Sequence, residues 1–374
     1  MTNWTKEEIR KVHDLPMMEL LYKAATVHRE HHNPNEVQVS TLISVKTGNC
    51  SEDCGYCSQS AFYETEIDKN GMLTLDAVKR AAEEAKAGGS SRVCMGAAWR
   101  SVADGDDFEK VLDMVEMVND MDMEVCATLG MVNEDQAQRL ADAGLFAYNH
   151  NLDTSEKYYK EVISTRGFED RLKTIDNVNK AKINVCSGGI MGMGESVDDR
   201  VDFIHQYTVM DQIPHSIPIN ALIPVEGTPL EEQEIIPIWD MLRMIATTRI
   251  VFPKASVRLS AGRTNMTDEG QSLCFFAGAN SIFAGDKLLT AENPDVISDM
   301  ELFDVLGLTP MVAFQTGDKP VTKGRKKPES AEKTKWSRPG HKIERNEEAK
   351  QKAKDKRAEQ KFEPRKVTSV ESLE

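Results

Sequence analysis

Three cysteines, Cys50, Cys54 and Cys57, fall within the single stretch Gly48–Gln59. Intervals of three and two residues let one short loop wrap three thiolates around a compact centre, and thiolates suit zinc and iron–sulfur clusters best. The count of three discriminates between these. A structural zinc site takes four donors, normally completed by a nearby Cys or His pair, and no second C-x2-C pair occurs in the chain. Ferredoxin-type runs supply four cysteines at a different spacing, because electron transfer needs no open iron. A four-iron cluster on three thiolates leaves one iron free to bind another molecule.

Further candidates lie downstream. Cys94, Cys126 and Cys186 each sit in the middle of a short β-rich run. Taken singly, such a cysteine packs as a small buried hydrophobe. Three inward thiols on three strands of a closed barrel could instead meet near its axis and form a second, deeper metal site. Arg258 reads as an inward cation able to balance an anionic centre. Asn149, Asn151 and Asp153 occupy alternate positions after Tyr148, so strand alternation would set them on one face. Amides offer donors and acceptors together, as a cyclic urea requires, and a carboxylate can accept from both hydroxyls of a ribose. Strand-end capping and turn formation would use the same residue types. Gly188 and Gly189, opening a glycine-rich run to Gly194, would let backbone come close to a ligand. Cys274, followed by Phe275 and Phe276, reads as core.

These residues need a frame to position them. Short apolar runs at Thr41–Val45, Arg92–Gly96, Glu124–Leu129, Phe146–Asn151, Asn184–Ile190, Ile217–Leu222, Ser256–Ser260 and Ser281–Ala284 read as strands. Amphipathic stretches separate them, among them Leu75–Ala87, Phe108–Asp120, Glu134–Ala143, Phe168–Ala181, Val197–Met210 and Leu230–Val251. Gly89 and Gly144 follow helix ends as C-capping glycines do. Strands alternating with helices imply an α/β protein with a parallel sheet, and this number of strands closes a (β/α)8 TIM-type barrel. A doubly wound open sheet is the alternative. The Cys50 loop then falls at the C-terminal end of the first strand, the face where barrel chemistry sits.

The expected organisation is an N-terminal helical extension over residues 1–37, a barrel over 38–315, and a basic, disordered tail over 316–374. Thr5 and Glu8 form the capping-box pattern that would start one helix running to His31. From Thr316 onward, 18 Lys/Arg stand against 11 Asp/Glu, a surplus of +7. The whole chain has 46 and 61, net −15, so the residues before Thr316 hold 28 and 50, or −22. The tail has too few apolar residues to offset its ordering entropy, with at most a transient helix near Glu344–Gln360. An acidic body argues against nucleic acid as substrate. The N-terminus lacks the apolar core of a signal peptide and no transmembrane run occurs, so a cytoplasmic protein with reduced cysteines is expected.

The C-x3-C-x2-C spacing, with the aromatic Tyr56 just before the last cysteine, resembles the radical S-adenosylmethionine (SAM) superfamily. Taken with Tyr148–Thr154, Gly188–Glu195, Pro218–Pro224, Val257–Arg263 and Gly278–Ser281, the chain from about Thr5 to about Gln315 resembles the biotin synthase family. The resemblance implies a [4Fe–4S] cluster on Cys50, Cys54 and Cys57. It implies a [2Fe–2S] cluster on Cys94, Cys126 and Cys186, with Arg258 as fourth ligand. It also implies SAM near Tyr56, Asn151, Asp153, Gly188 and Gly189, and dethiobiotin near Asn149, Asn151 and Asn220. In that family a 5′-deoxyadenosyl radical abstracts hydrogen from dethiobiotin, and sulfur drawn from the [2Fe–2S] cluster closes the ring of biotin. A flavodoxin or ferredoxin donor, the iron–sulfur assembly machinery, and a homodimer are the partners so implied. The alternative is another radical SAM barrel enzyme of the same clade, of hydrogenase-maturation or mutase type. Such an enzyme would keep the Cys50 loop but have no reason to hold Cys94, Cys126, Cys186 and Arg258 together.

Overall fold

Alternation along the first strand explains the architecture. In Val37-Gln38-Val39-Ser40, the valines face out to a covering layer and the polar residues face in. A computed structural model of the chain describes residues 4–324. Its strands are β1 (Glu36–Lys46), β2 (Arg92–Ala97), β3 (Glu124–Thr128), β4 (Ala147–Asn149), β5 (Asn184–Cys186), β6 (Gly189–Met191), β7 (Ser216–Ala221), β8 (Ser256–Leu259) and β9 (Ser281–Ala284). All pair in parallel, β5 and β6 are two halves of one barrel position, and β1 pairs with β9 from Gln38↔Ser281 to Thr41↔Ala284, so the sheet closes on itself. This is the expected (β/α)8 barrel and not the open sheet.

The helices are α1 (Lys6–His13), α2 (Met17–His31), α3 (Leu75–Ala87), α4 (Asp106–Asp120), α5 (Glu134–Asp142), α6 (Glu156–Val162), α7 (Phe168–Lys180), α8 (Val197–Thr208), α9 (Ile238–Val251), α10 (Asp268–Phe276) and α11 (Val296–Leu306). Thr5 and Glu8 make the capping box as read, but the single helix to His31 is two. Pro16 lacks an N–H and disfavours helical backbone at Leu15, so the chain breaks between His13 and Met17. Pro237 likewise caps α9, which starts well after the expected Leu230. The short α6, with α10 and α11, was not read from the sequence.

Two cores result. The larger lies between sheet and helices and takes Val39, Val45, Val93, Met95, Val125 and Ile217 together with the apolar faces of α4, α8 and α9. The smaller lies inside the barrel and joins Cys94, Cys126, Phe146 and Ala147, with Leu42, Phe283 and Phe314 against them. The interior below it is polar: Gln38, Arg92, Glu124, Arg258 and Ser281 are all buried.

Residues 316–324, assigned from their charge to the tail, are seated on the N-terminal end of the barrel. Asn119 Nδ2 donates to Pro320 O and Thr322 Oγ1, both at 3.2 Å, and Lys323 N donates to Asp142 O at 2.8 Å. Polar contacts, which a composition argument does not see, hold this segment. The rest of the expected tail, with its transient helix, lies outside the described residues.

Candidate active site

The Cys50 loop has no helix or strand; an isolated bridge between Cys50 and Ser60 closes it, and its neighbours hold it in place. Asp53 accepts from Ser164 N at 2.9 Å, Thr165 N at 3.0 Å and Thr165 Oγ1 at 2.8 Å, which ties the loop to the turn after α6. Gly55 N donates to Val162 O at 2.9 Å, and Leu230 N to Gly55 O at 3.2 Å. Buried Glu52 pairs with Arg100 at 3.3 Å and Arg166 at 3.9 Å.

A cavity of about 350 Å³ opens at the C-terminal face and runs down the barrel. Cys50, Cys54 and Cys57 line its mouth; Cys94, Cys126 and Arg258 lie on its walls further in; Asn149, Asn151, Asp153 and Asn220 also face it. Cys186 does not line it. Its buried sulfur stands behind Asn149, accepting from Asn149 Nδ2 at 3.3 Å. A hairpin of β10 (Lys287–Leu288) and β11 (Ala291–Glu292) crosses the mouth, where Thr290 Oγ1 meets Ser58 Oγ at 2.6 Å. Leu289 at its turn occupies the space above Gly96, where a Cβ would stand 2.8 Å from it.

The thiols at the mouth are held protonated by burial: Cys50 is raised, Cys54 well raised, and Cys57 pushed up to about 12. Among the described residues no three His, Cys, Asp or Glu side chains converge on a single ion. The thiols line the wall of a space instead, which fits a polynuclear centre whose ligands stand apart and must shed protons as it loads. In the deep set Cys94 and Cys126 are register partners on β2 and β3. Their mutual hydrogen bond lowers Cys94 and raises Cys126; burial opposes the first and adds to the second, while Arg258 and Arg92 favour charge on Cys94. The two arginines therefore give this set a cationic setting suited to thiolates. Cys274 is core, as read, its thiol pushed up to about 12 by burial.

Asn149, Asn151 and Asp153 do converge, though not by strand alternation. The strand ends at Asn149, and Asp153 has φ +69°, so the chain turns back between them. Asn149 Nδ2 donates to Asn151 Oδ1 at 3.1 Å, which also receives Gly188 N at 3.0 Å. Tyr56 OH donates to Asp153 Oδ2 at 2.9 Å, and buried Arg171 pairs with the same carboxylate. Burial works most strongly against the charge of Arg171, but Asp153, with Tyr159, Tyr56 and Cys54 behind it, holds the guanidinium well above its usual range. Asn220 Nδ2 donates to Gly189 O at 2.9 Å. Gly188 and Gly189 do not face the cavity. A Cβ on Gly188 would lie 1.9 Å from Pro218 O, so its smallness serves strand packing.

Sequence reasoning missed Arg166, Arg171 and His150, all lining the cavity. His150 is held neutral, well below its ordinary value, first by burial and then by Arg171 and Arg166. Its Nε2 has no partner among the described residues. The signal was available only as position, in the run Tyr148–Thr154 and in the turn that holds Asp53.

A closed (β/α)8 barrel with three loop cysteines at its catalytic face defines the radical SAM class. Residues 44–207 match the model of the Radical SAM superfamily, and residues 218–309 match that of the Biotin and Thiamin Synthesis associated domain. Biotin synthase of Christiangramia forsetii is 62% identical over 357 residues, covering 95% of this chain and 98% of that protein. That of Flavobacterium johnsoniae is 61% identical over 94% of this chain and 98% of its own length. The chain belongs to the biotin synthase family and is an enzyme of it. An alignment of 357 residues extends past Gln315 wherever it starts, so the likeness takes in part of the basic tail as well.

Among solved structures, methylornithine synthase shares the fold at TM-score 0.70 and 19% identity, covering 82% of this chain and 94% of that one. The [FeFe]-hydrogenase maturase HydG of Carboxydothermus hydrogenoformans does so at 0.71 and 14%, covering 86% and 78%. The second is of the hydrogenase-maturation type held open as the alternative. Their likeness is one of fold, and the alternative is not favoured.

Proposed function

We propose that the chain converts dethiobiotin to biotin by SAM-dependent radical chemistry, with two iron–sulfur centres at the two ends of one cavity. The observation that carries the reading is the placement of Cys50, Cys54 and Cys57, and of Cys94, Cys126 and Arg258, around a single space of about 350 Å³, with Cys186 just behind Asn149 and amides and a carboxylate on the shared wall. Cys50, Cys54 and Cys57 would hold a [4Fe–4S] cluster; Cys94, Cys126, Cys186 and Arg258 would hold a [2Fe–2S] cluster. Bound there, these groups would supply the reductive cleavage of SAM and the sulfur that closes the ring.

The chain's own residues then bind and shield. Asp153, held by Arg171 and Tyr56, presents a fixed carboxylate to the SAM ribose beside Asn151. Asn149, Asn151 and Asn220 offer donors and acceptors to the ureido ring of dethiobiotin. Gly188 would serve SAM indirectly by letting the chain pass close to Pro218 of β7, and Gly189 by letting it pack against Phe203 and the Asp153 carbonyl. The β10–β11 hairpin covers the mouth and limits water and stray hydrogen donors. Electrons would come from a flavodoxin or ferredoxin, and iron from the iron–sulfur assembly machinery. We assign the chain to the cytoplasm as a homodimer, with the extension, barrel and basic tail as its three parts. No described helix is long and apolar enough to cross a membrane.

The test is direct. Anaerobically reconstituted protein given SAM, a reductant and dethiobiotin should form biotin together with methionine and 5′-deoxyadenosine. Cleavage of SAM with no biotin formed would remove the substrate assignment.

A further inference from the structure

Arg92 opens β2 and is completely buried, two residues below Cys94 and so on the same inward face. Its Nε donates to Glu124 Oε2 at 2.7 Å, and its Nη2 stands 2.6 Å from that same oxygen. Neither terminal nitrogen makes a directed hydrogen bond, although both are shut off from solvent. A guanidinium carries five N–H donors, and native interiors rarely leave such donors unmet. Glu124 is shared with other donors. Its Oε1 already receives Phe314 N at 2.7 Å, and its Oε2 also receives Gln38 Nε2 at 3.1 Å. The ring of Phe146 closes one side, 5.2 Å from the guanidinium carbon.

Arg258 differs. Its Nε donates to Ser281 Oγ at 2.9 Å, its Nη2 reaches Gln38 Oε1 at 3.3 Å and Ser40 Oγ at 3.4 Å, and its guanidinium lies 4.5 Å over Phe283. It is held by neutral groups at the cavity wall, in position to act as a ligand. The uncommitted donors belong to the other arginine.

We propose that Arg92 is the counter-cation of the deep centre: the N–H groups not directed at Glu124 donate from below to the sulfur atoms held by Cys94, Cys126 and Cys186, and its charge balances them while Arg258 serves as ligand. This rests on the reading of those thiols as [2Fe–2S] ligands. The Glu124 carboxylate aims the guanidinium and offsets part of its charge.

The experiment compares Arg92→Met, Arg92→Lys and Glu124→Gln in the full-length reconstituted protein. It reads the midpoint potential of the two-iron centre, the rate at which a chelator strips its iron, and four-iron content as a control for folding. Arg92→Met should lower the potential and speed iron loss about tenfold or more, as expected for loss of a charge-assisted hydrogen bond. Glu124→Gln should raise the potential, because the cation is then uncompensated, and Arg92→Lys should stay closer to the parent than Arg92→Met does. A merely structural role for the pair would move Arg92→Met and Glu124→Gln in the same direction. Equal-sign shifts, or potential and iron loss unchanged in Arg92→Met, would overturn the proposal. Should Arg92→Met fail to fold, the opposed or equal signs of Glu124→Gln and Arg92→Lys against the parent still decide. A parent protein that assembles no two-iron centre would overturn the ligand reading itself, a result distinct from the failure of Arg92 alone.

Discussion

Asp153 gathers most of the site's order into one side chain. Its backbone is left-handed, it receives Tyr56 OH, and it is the counter-charge of buried Arg171. Replacing it with asparagine keeps the shape and removes the charge, leaving Arg171 unpaired in the interior. Removing one partner of a buried pair costs about 3–5 kcal/mol. Asp153→Asn should therefore lower the thermal midpoint and weaken SAM binding at least about tenfold, both read on the same sample by calorimetry; unchanged binding would remove Asp153 from the ribose site. At this scale the sequence was most informative where chemistry is rare. Three closely spaced cysteines have few other uses, whereas Arg171 lies in an amphipathic helix, where an arginine reads as an ordinary solvated charge. Only the fold turns it inward to Asp153.

The elements obey simpler rules and break them for stated reasons. Alternation located the strands and a proline divided the first helix. Short α6 and the apolar runs of α10 and α11 carry no clear period, so they escaped. Gly188 shows a packing demand that a glycine run does not reveal: it lets the chain entering β6 pass close to Pro218 of β7. Gly188→Ala would place a methyl 1.9 Å from Pro218 O, a backbone atom that cannot give way, and should cost at least about 1–3 kcal/mol in unfolding free energy. Helix α2 offers a pH test. His28 and His32 are lowered to about 3 and about 4, by burial first and then by Arg249. Unfolded, each takes up a proton below 6.5, so their stabilising contribution is complete above that pH and is lost as pH falls toward 4. The thermal midpoint should fall across that window, and His28→Leu should flatten the fall; an equally steep fall in the variant would place the dependence elsewhere.

At the scale of the whole molecule, charge divides the chain differently from structure. Composition changes near Thr316, yet the packing runs on through the last described residues, to 324. A chain ending at Gln315 loses the bonds from Asn119 to Pro320 and Thr322 and those between Lys323 and Asp142. It should be less stable than one ending at Gly324 by on the order of 2 kcal/mol, as chemical denaturation of the two would measure. Equal stability would return residues 316–324 to the tail. The polar floor of the barrel, with Glu124 bonded to Phe314, was likewise invisible in the sequence because its partners lie far apart along the chain.

Whether one cavity serves two metal centres is decided by counting iron. Anaerobically reconstituted protein should hold about six iron atoms per chain, and Cys94→Ala about four, with the four-iron centre retained. A parent protein that saturates at about four, or a Cys94→Ala variant that keeps all its iron, would contradict the account.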